Sequence, residues 1–294
     1  NLGWNSRPND SNQYVIMKGF KKCEICSFAN PKATATAIIL KNTKLLLLKR
    51  NEEPYQGKWD LPGGYLNKFE TPEIALLREL QEELGIVNIP IKFIKTWPGT
   101  AIWNNQTFPI ISHYYLVDIG DKEIKLNKEN SEYKFVALQD LNPNELAWDS
   151  NQYFCRWFKP RFIFDLNRIR ELVKQLDATA EVKESNLYMA LLDGFLAKVY
   201  DKDLLVGMGW IFPRQTLLRH QAVIEDMVVD KNYRGRGYGR QILQELMVWA
   251  KNNGIEMVEL TTNPARIAAN ELYKSEGFKL HETNHYLYTV DKLK

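Results

Sequence analysis

Residues 64–86 constrain the fold more than any other stretch of the chain, because they predict a glycine loop that leads into a short helix. Thr71 is a favourable N-cap, and Pro72 suits the first helical position, where its missing N–H costs nothing. Gly85 suits the left-handed residue that ends a helix. We therefore predict a helix that starts at Pro72, ends before Gly85 and is fixed against the loop in front of it.

This helix carries three carboxylates on one face. Glu79, Glu82 and Glu83 are spaced i, i+3 and i+4, which places them together. The apolar residues that fall largely on the opposite side are expected to pack on a core: Ile74, Leu77, Leu80 and Leu84. Repulsion between exposed like charges costs only roughly 0.2–0.5 kcal/mol per pair, so a solvated acidic face is one explanation. A divalent cation such as Mg²⁺ or Mn²⁺, held by hard oxygen ligands, is the other.

The full spacing favours the cation. It follows the order G, five residues, E, seven residues, R-E, apolar, any, E-E, any, G, apolar, which resembles the signature of the Nudix hydrolases. The matching positions are Gly64, Glu70, Arg78, Glu79, Leu80, Glu82, Glu83, Gly85 and Ile86. The resemblance implies Mg²⁺-dependent attack of water on the pyrophosphate of a nucleoside diphosphate linked to another group.

The resemblance also implies roles for individual residues. The implied metal ligands are three carboxylates and one backbone carbonyl: Gly64, Glu79, Glu82 and Glu83. One of the three glutamates is also implied to act as the base. Glu70 and Arg78 are implied to form an ion pair that fixes the loop against the helix.

Length and composition set the broad class of the protein. A chain of 294 residues with 45% hydrophobic and 26% charged residues predicts a globular protein of two domains. The net charge of +3 does not argue for nucleic acid or membrane as a partner. No apolar run approaches the roughly 18 residues of a membrane helix, and the first ten residues hold no signal-peptide core. Three cysteines fit a reducing cytoplasm, so we expect a cytoplasmic protein.

Two of these cysteines, Cys23 and Cys26, form a single CxxC. The stretch around them resembles the zinc-ribbon leader that precedes some Nudix domains. Zinc needs four ligands, and a second pair is missing here. Free thiols are therefore favoured over a zinc site, and both interpretations stay open.

Around the helix, residues 33–40, 44–49, 91–97 and 112–118 predict strands. The segment between the last two, residues 98–109, is expected to be a loop that shapes a substrate pocket. Candidates for stacking on a base are Tyr55, Trp103 and Phe108. The Nudix resemblance also implies one further acidic residue at the metal site, for which Glu129 and Glu132 are the candidates; a solvated carboxylate is the alternative.

A second informative stretch lies in the last third of the chain. Residues 222–230 predict a strand, residues 234–239 form a glycine-rich loop, and a helix follows. The expected core side of that helix is Ile242, Leu243, Leu246 and Ala250. Backbone N–H groups and the helix dipole at such a junction form a cradle for phosphate.

The loop has the form R/Q-x-x-G-x-G/A, which resembles the acetyl-CoA loop of the GNAT N-acetyltransferases. A strand at 257–262 and the helical segment 263–277 before Phe278 also resemble that family, over residues 165–294. The implied cofactor-binding residues are Met227, Val229, Arg234, Gly235, Arg236, Gly237, Tyr238, Gly239 and Asn270. Tyr273 is implied to protonate the leaving thiolate, and Glu225 is the candidate general base. Asp226 would point to the opposite face of a regular strand.

We therefore predict a leader at 1–30, a Nudix domain at 31–148, a packed aromatic connector at 149–164 and a GNAT domain at 165–294. The fold class is α/β and α+β: an α/β/α sandwich with a mixed sheet, then a mixed sheet flanked by helices. The expected partners are a nucleotide substrate, acetyl-CoA and an amine acceptor, and a dimer is one option for the oligomeric state. The expected function is a bifunctional enzyme; the alternative is an acetyltransferase regulated by a Nudix domain that senses a nucleotide without cleaving it.

Overall fold

The computed structural model describes positions 24, 27 and 28, residues 30–103 and residues 106–286. Cys23 and Cys26 lie outside these residues, so the choice between zinc and free thiols stays a prediction. The described chain divides into two compact units. Unit 1 takes the described residues through Asn167 together with Val182–Leu192, and unit 2 takes Arg168–Glu181 and the residues from Asp193 onward. Every helix in the described part is too short or too polar to span a membrane.

The strands are β1 (Lys32–Lys41), β2 (Lys44–Arg50), β3 (Trp59–Asp60), β4 (Gly63–Tyr65), β5 (Ile91–Trp103), β6 (Gln106–Val117), β7 (Asn130–Ala137), β8 (Phe195–Asp201), β9 (Leu204–Gln215), β10 (His220–Val229) and β11 (Met257–Leu260). The helices are α1 (Pro72–Leu84), α2 (Asp149–Phe162), α3 (Leu166–Leu176), α4 (Glu184–Asp193), α5 (Tyr238–Asn252) and α6 (Ile267–Ser275). Short 3₁₀ turns lie at Pro143–Glu145 and Lys231–Tyr233.

Unit 1 is built on a mixed sheet. Its described strands run in the order β3-β2-β1-β6-β5, with β4 paired to β1 and β7 paired to β2. The β1–β6 pair is parallel and the others are antiparallel. The turn between β1 and β2 has positive φ at Asn42 and Thr43, as a tight hairpin requires.

Alternation along β1 gives this sheet two covered faces. Ala35, Ala37 and Ile39 face the side where α1 packs, in one buried cluster. Ile38 belongs to the cluster on the other side, where α2 packs. Unit 1 is thus the α/β/α sandwich predicted from the sequence.

The buried side of α1 differs in part from the predicted one. Leu80 and Leu84 are buried as expected, but Ile74 and Leu77 are 54% and 38% exposed. The two residues between them, Ala75 and Leu76, are buried instead, because the helix is turned about its axis relative to the predicted orientation. This turn also brings a glutamate of the acidic face to the buried side, as described below.

The described residues of the expected loop, 98–103 and 106–109, lie on the paired strands β5 and β6, so the prediction of a loop is wrong. β5 and β6 pair from Ile91–Val117 out to Trp103–Gln106. The two prolines of this segment do not prevent strand pairing. Pro98 lies on β5, an edge strand where a missing N–H is tolerated, and Pro109 lies beyond the last residue of β6 that pairs with β1.

The aromatic segment predicted as a connector forms α2, which is part of the core of unit 1. Phe154, Phe158 and Phe162 are buried and stack in series, with ring centroids 5.5 and 4.1 Å apart. Tyr188 of α4 lies 5.9 Å from Phe162 and extends this aromatic cluster.

Unit 2 is built on a smaller mixed sheet, whose described strands run in the order β11-β10-β9-β8. β10 and β11 are parallel, and the other pairs are antiparallel. The predicted core side of α5 is confirmed, since Ile242, Leu243, Leu246 and Ala250 are all buried. Gly207 permits close packing here, because a Cβ at this position would lie 2.9 Å from the Ile242 side chain.

Candidate active sites

In unit 1 the loop before α1 is fixed by an ion pair, as predicted. The Arg78 guanidinium donates to both carboxylate oxygens of Glu70, at 2.7 and 3.0 Å, and to the Tyr65 carbonyl at 2.9 Å. These hydrogen bonds lower the pKa of Glu70 to about 2. The Thr71 cap and left-handed Gly85, at φ 68°, bound the helix where the sequence placed them.

The same arginine reaches two of the acidic residues on α1. It donates to Glu79 at 2.8 Å and to Glu82 at 3.1 Å. The Glu82 side chain is 55% exposed, whereas that of Glu79 is 14% exposed and lies against the loop backbone. A Cβ on Gly64 would lie 2.3 Å from a Glu79 carboxylate oxygen, so a larger residue there would displace this carboxylate.

Glu83 is the buried member of the acidic face. Its carboxylate accepts from the Gly63 N–H at 2.8 Å and from the Asn130 side chain at 3.3 Å. Burial raises its pKa to about 8, and the nearby Glu79 charge contributes. Burial also raises the pKa of Glu79, against the opposing effect of Arg78. Both carboxylates therefore lie where a positive charge would stabilise their ionised forms.

The donor set fits a hard divalent cation. Carboxylate oxygens of Glu79, Glu82 and Glu83 and the carbonyl of Gly64 are the ligand types that Mg²⁺ prefers. The close approach of Glu79 to Gly64 brings two of these donors to one place. In the conformation described here Arg78 holds two of the carboxylates, and no three acidic, histidine or cysteine side chains of the described residues are grouped around one point.

A cavity of about 380 Å³ opens beside the glutamates. Glu129 lines it, as does Trp103, one of the candidates for base stacking. The other two candidates, Tyr55 and Phe108, are not among its lining residues. Tyr55 packs edge-to-face with Trp148, with the two ring centroids 4.9 Å apart.

The sequence analysis missed a buried carboxylate at the base of this cavity. Asp60 is 6% exposed and accepts from the Leu61 N–H, Asn151, Trp148 and Arg50, at 2.8, 2.7, 2.7 and 3.3 Å. Burial raises its pKa, although Arg50 opposes the shift. No local pattern marks Asp60, because its partners come from β2 and from the first turn of α2.

In unit 2 the glycine-rich loop has the backbone form expected of a phosphate cradle. Gly235 and Gly237 have φ of 76° and 84°, which residues with a Cβ rarely adopt. Gly237 is the N-cap of α5 and offers no side chain to its first-turn N–H groups. Those donors are thus available to an anion. Arg234 lines the adjoining cleft, and its Nε donates to the Val229 carbonyl at 3.1 Å.

The strand beside the cleft is irregular. Asp226 therefore does not point to the face opposite Glu225, as it would on a regular strand. Pairing of β10 with β9 shifts between Glu225 and Val228, and Asp226 has a φ of 51°. Because this bulge breaks the alternation, both Glu225 and Asp226 line a cleft of about 1340 Å³. Burial raises the pKa of each, and in Glu225 the Asp226 charge adds to the shift.

The remaining predicted residues take different positions around this cleft. Tyr273 lines it, with its hydroxyl 3.8 Å from the Met227 sulfur, and burial raises its pKa. Asn270 instead donates to the carbonyls of Asn263 and Arg266, at 3.1 and 3.0 Å. The Arg236 guanidinium lies 3.5 Å from the Asp201 carboxylate.

A second feature that the sequence did not reveal lies just before the glycine-rich loop. Asp230 is 4% exposed and accepts from Arg168 and Gln175 of α3, at 2.6 and 3.1 Å. Its other oxygen accepts from the Asn232 N–H at 2.9 Å. Asp230 therefore connects α3 to the turn that precedes the loop. Sequence spacing cannot reveal this contact, because Arg168 and Asp230 are 62 residues apart.

Comparison with known proteins matches two family models to successive parts of the chain. The family model described as NUDIX domain matches residues 31–158, and the acetyltransferase (GNAT) family model matches residues 151–278. The chain is 27% identical over 150 residues to an ADP-ribose pyrophosphatase of Methanocaldococcus jannaschii, covering 50% of this chain and 85% of that protein. It is 31% identical over 121 residues to an RNA pyrophosphohydrolase of Nitratiruptor sp., covering 34% and 71%.

The second unit has a relative in Bacillus subtilis, the uncharacterized N-acetyltransferase YobR. The two are 34% identical over 89 residues, which is 30% of this chain and about a third, 34%, of YobR. Fold, site and matches together define an enzyme that joins a hydrolase domain to an acetyltransferase domain. The chain belongs to the Nudix family, and its residues 151–278 match the model of the acetyltransferase (GNAT) family.

Proposed function

We propose that the chain is a bifunctional enzyme. Unit 1 hydrolyses a nucleoside diphosphate derivative with Mg²⁺ or Mn²⁺, and unit 2 transfers an acetyl group from acetyl-CoA to an amine. The observation that carries the proposal is the pairing of the acidic face of α1 with the cavity beside it, since Glu79 and the buried Glu83 both line that cavity. Similarity to the ADP-ribose pyrophosphatase of M. jannaschii puts ADP-ribose first among the substrate types, ahead of dinucleotides and other nucleotide sugars.

In the hydrolase unit, Glu79, Glu82, Glu83 and the Gly64 carbonyl would hold the cation. Bound Mg²⁺ supplies neutralisation of the pyrophosphate charge and a more acidic attacking water. One of the three glutamates would take a proton from the attacking water as the water oxygen bonds to one phosphorus, and the bridging P–O bond would break with its oxygen leaving on the other phosphate. Arg78 holds the loop and the helix in register by binding Glu70 and the Tyr65 carbonyl.

In the transferase unit, the N–H groups of Arg236–Gly239 hold the pyrophosphate of CoA at the start of α5. Glu225 takes a proton from the acceptor amine, for which the raised pKa of this carboxyl is suited. The amine nitrogen bonds to the acetyl carbon and the C–S bond breaks. Tyr273, whose raised pKa keeps its hydroxyl protonated, then donates a proton to the thiolate.

The test is turnover of a panel of ADP-ribose, dinucleotides and nucleotide sugars with Mg²⁺, for wild type and Glu82→Gln. We expect one class of compound to be hydrolysed and the variant to lose at least about a hundredfold in kcat. Glu123→Gln is the control, because Glu123 is an exposed glutamate that does not line the cavity.

Binding without turnover would contradict the hydrolase and support the alternative, a nucleotide-sensing Nudix domain that regulates the transferase. Calorimetric titration of the same panel separates this outcome from absence of any nucleotide site.

A further inference from the structure

A surface of unit 1 outside the two clefts carries basic and aromatic side chains together, and we call it the basic aromatic face. It is formed by the solvent-facing side of α2 and by the part of β5 that packs beside this helix. After Asp149, α2 contains three basic residues and no acidic one. The members of the face, none of which lines either cleft, are Lys95, Trp97, Tyr153, Arg156, Trp157 and Arg161.

The members on α2 form one stripe along the helix. Tyr153, Arg156, Trp157 and Arg161 are spaced i, i+3, i+4 and i+8, which places them on the side away from the buried phenylalanines. At a rise of 1.5 Å per residue the stripe is about 12 Å long. Its two arginines are exposed, Trp157 is half-buried, and the Tyr153 ring is 50% exposed. The stripe therefore presents both charge and an aromatic ring to solvent.

A bulge in β5 adds Lys95 to this stripe. The pairing of β5 with β6 shifts just before Lys95, which consequently lies opposite Tyr114. The Tyr114 ring stacks on Phe154 of α2, so Lys95 lies on the side of the sheet that this helix covers. The Lys95 ammonium is 5.0 Å from the centroid of the Trp157 ring and 5.5 Å from that of the Trp97 ring.

The cations of the face are held by aromatic rings rather than by carboxylates. The Arg161 guanidinium lies 4.4 Å from the centroid of the Trp157 ring, and that of Arg156 lies 5.1 Å from the centroid of the Tyr153 ring. Within the described part of the chain, no carboxylate lies within 4.0 Å of the charged nitrogens of Lys95, Arg156 or Arg161. A ring orients a cation without neutralising it, so three positive charges stay available to an anion.

These three charges equal the net charge of +3 of the whole chain, so the other basic and acidic residues balance one another. The positive field of the face is therefore local, and the small net charge of the chain does not reveal it.

The arrangement of charge and rings indicates the kind of partner. Cations spread over a stripe of about 12 Å suit a chain of several negative charges better than a single phosphate. An acidic peptide would meet the charge requirement alone. The exposed Tyr153 ring beside the Arg156 guanidinium adds a surface on which a base can stack, and only a single strand offers the faces of its bases.

We propose that the basic aromatic face binds single-stranded nucleic acid, with a base stacked on Tyr153 and phosphates at Lys95, Arg156 and Arg161. This inference does not rest on either of the two proposed activities, because none of these residues lines a cleft.

The charge requirement is tested with Arg156→Gln/Arg161→Gln and a fluorescent oligouridine of about 12 nucleotides with a 5′-hydroxyl end. Anisotropy is measured at several salt concentrations in EDTA, so that no metal ion bridges the probe to α1. We expect the double variant to bind at least about tenfold more weakly and the slope of log affinity against log salt to fall in magnitude by about 1.4, since each phosphate contact contributes about 0.7. Lys122→Gln/Lys125→Gln, which removes two exposed cations elsewhere in unit 1, is the matched control and should bind as wild type does.

The stacking requirement is tested with Tyr153→Ala. We expect this variant to bind the oligouridine about fivefold or more weakly with an unchanged salt slope, because it loses a base contact and no charge. Tyr133→Ala is the control, because Tyr133 is 44% exposed on β7 and lies outside the face. Thermal unfolding checks that each variant is folded, and Tyr153→Ala decides the proposal if the double arginine variant does not fold.

Absence of binding to the oligouridine at low salt would overturn the proposal. So would wild-type affinity in either test variant, or an equal loss in its control. Equal affinity for a duplex RNA of the same length would show that no base is read by stacking. Tighter binding of a polyglutamate peptide than of the oligouridine would identify an acidic protein segment as the partner instead.

Discussion

At the scale of single residues, three glutamates that the sequence places on one helix face have three different surroundings. Glu82 is exposed, Glu79 lies against Gly64, and Glu83 is buried beneath the loop. Burial gives Glu83 a pKa of about 8, so these carboxylates are chemically distinct before any cation binds. The spacing predicts that they meet, but only packing decides which of them is buried.

Gly64→Ala tests the close approach of Glu79 to the loop. A Cβ at this position meets the Glu79 carboxylate at 2.3 Å, so we expect loss of hydrolysis and a stability loss of about 1–3 kcal/mol from overpacking. Urea denaturation and turnover of ADP-ribose measure the two effects. The double variant Gly64→Ala/Glu79→Ala should regain much of the stability and none of the activity; a purely additive double variant would refute the contact.

Acid titration tests the Glu70–Arg78 ion pair. The folded-state pKa of Glu70 is about 2, below the ordinary value of 4.5, so its contribution is fully present above about pH 4.5 and is lost as pH falls toward 2. Between pH 5 and about pH 2 we therefore expect the unfolding free energy of wild type to fall more steeply than that of Glu70→Gln. Parallel slopes for the two proteins over this range would rule the ion pair out as a source of acid sensitivity.

At the scale of elements, local signals predicted α1 and α5 well. Their ends are set by neighbours in sequence: a threonine cap, a proline in the first turn, and glycines with positive φ. The strands at residues 98–103 and 106–109 and the bulge at Asp226 were not predictable in this way. Both depend on which strand lies alongside. A proline on an edge strand and an extra residue in the pairing of β10 with β9 leave no clear pattern in the local sequence.

The ion pair between Arg168 of α3 and Asp230, just before the glycine-rich loop, gives a prediction in which a second partner of Arg168 serves as the control. Arg168 pairs with buried Asp230 on one side and with Glu171, 63% exposed, on the other. Asp230→Ala should cost roughly 3 kcal/mol of unfolding free energy and raise the KM for acetyl-CoA. Glu171→Ala removes a carboxylate from the same arginine and should cost at most about 1 kcal/mol. Equal losses of unfolding free energy for the two variants in urea denaturation would contradict a structural role for the Arg168–Asp230 ion pair.

At the scale of the whole molecule, the chain order and the division into units do not coincide. Residues 182–192 belong to unit 1, although the segments on either side of them belong to unit 2. Glu184 of α4 accepts from the backbone N–H groups of Asn42 and Thr43 in the first hairpin of unit 1. A simple cut between the two family signatures would therefore remove a helix from the hydrolase unit, and the predicted boundaries stay a proposal.

Tyr188→Ala measures how much α4 stabilises unit 1. Its ring is 2% exposed and lies 5.9 and 5.8 Å from the rings of Phe162 and Phe164. We expect a loss of about 3–5 kcal/mol, as for other buried aromatic residues cut back to alanine. Tyr153→Ala is the control, because Tyr153 is 50% exposed on α2. A similar cost for both in thermal unfolding would mean that α4 contributes little.

We propose that one chain holds two active sites, and the most direct test measures both activities in one preparation. Hydrolysis of ADP-ribose with Mg²⁺ and acetyl transfer to a panel of amines are followed for wild type, Glu82→Gln and Tyr273→Phe. We predict that Glu82→Gln loses hydrolysis alone and that Tyr273→Phe loses acetyl transfer alone, each by about a hundredfold or more. Nucleotide binding without hydrolysis in wild type, or loss of both activities in one variant, would contradict the account.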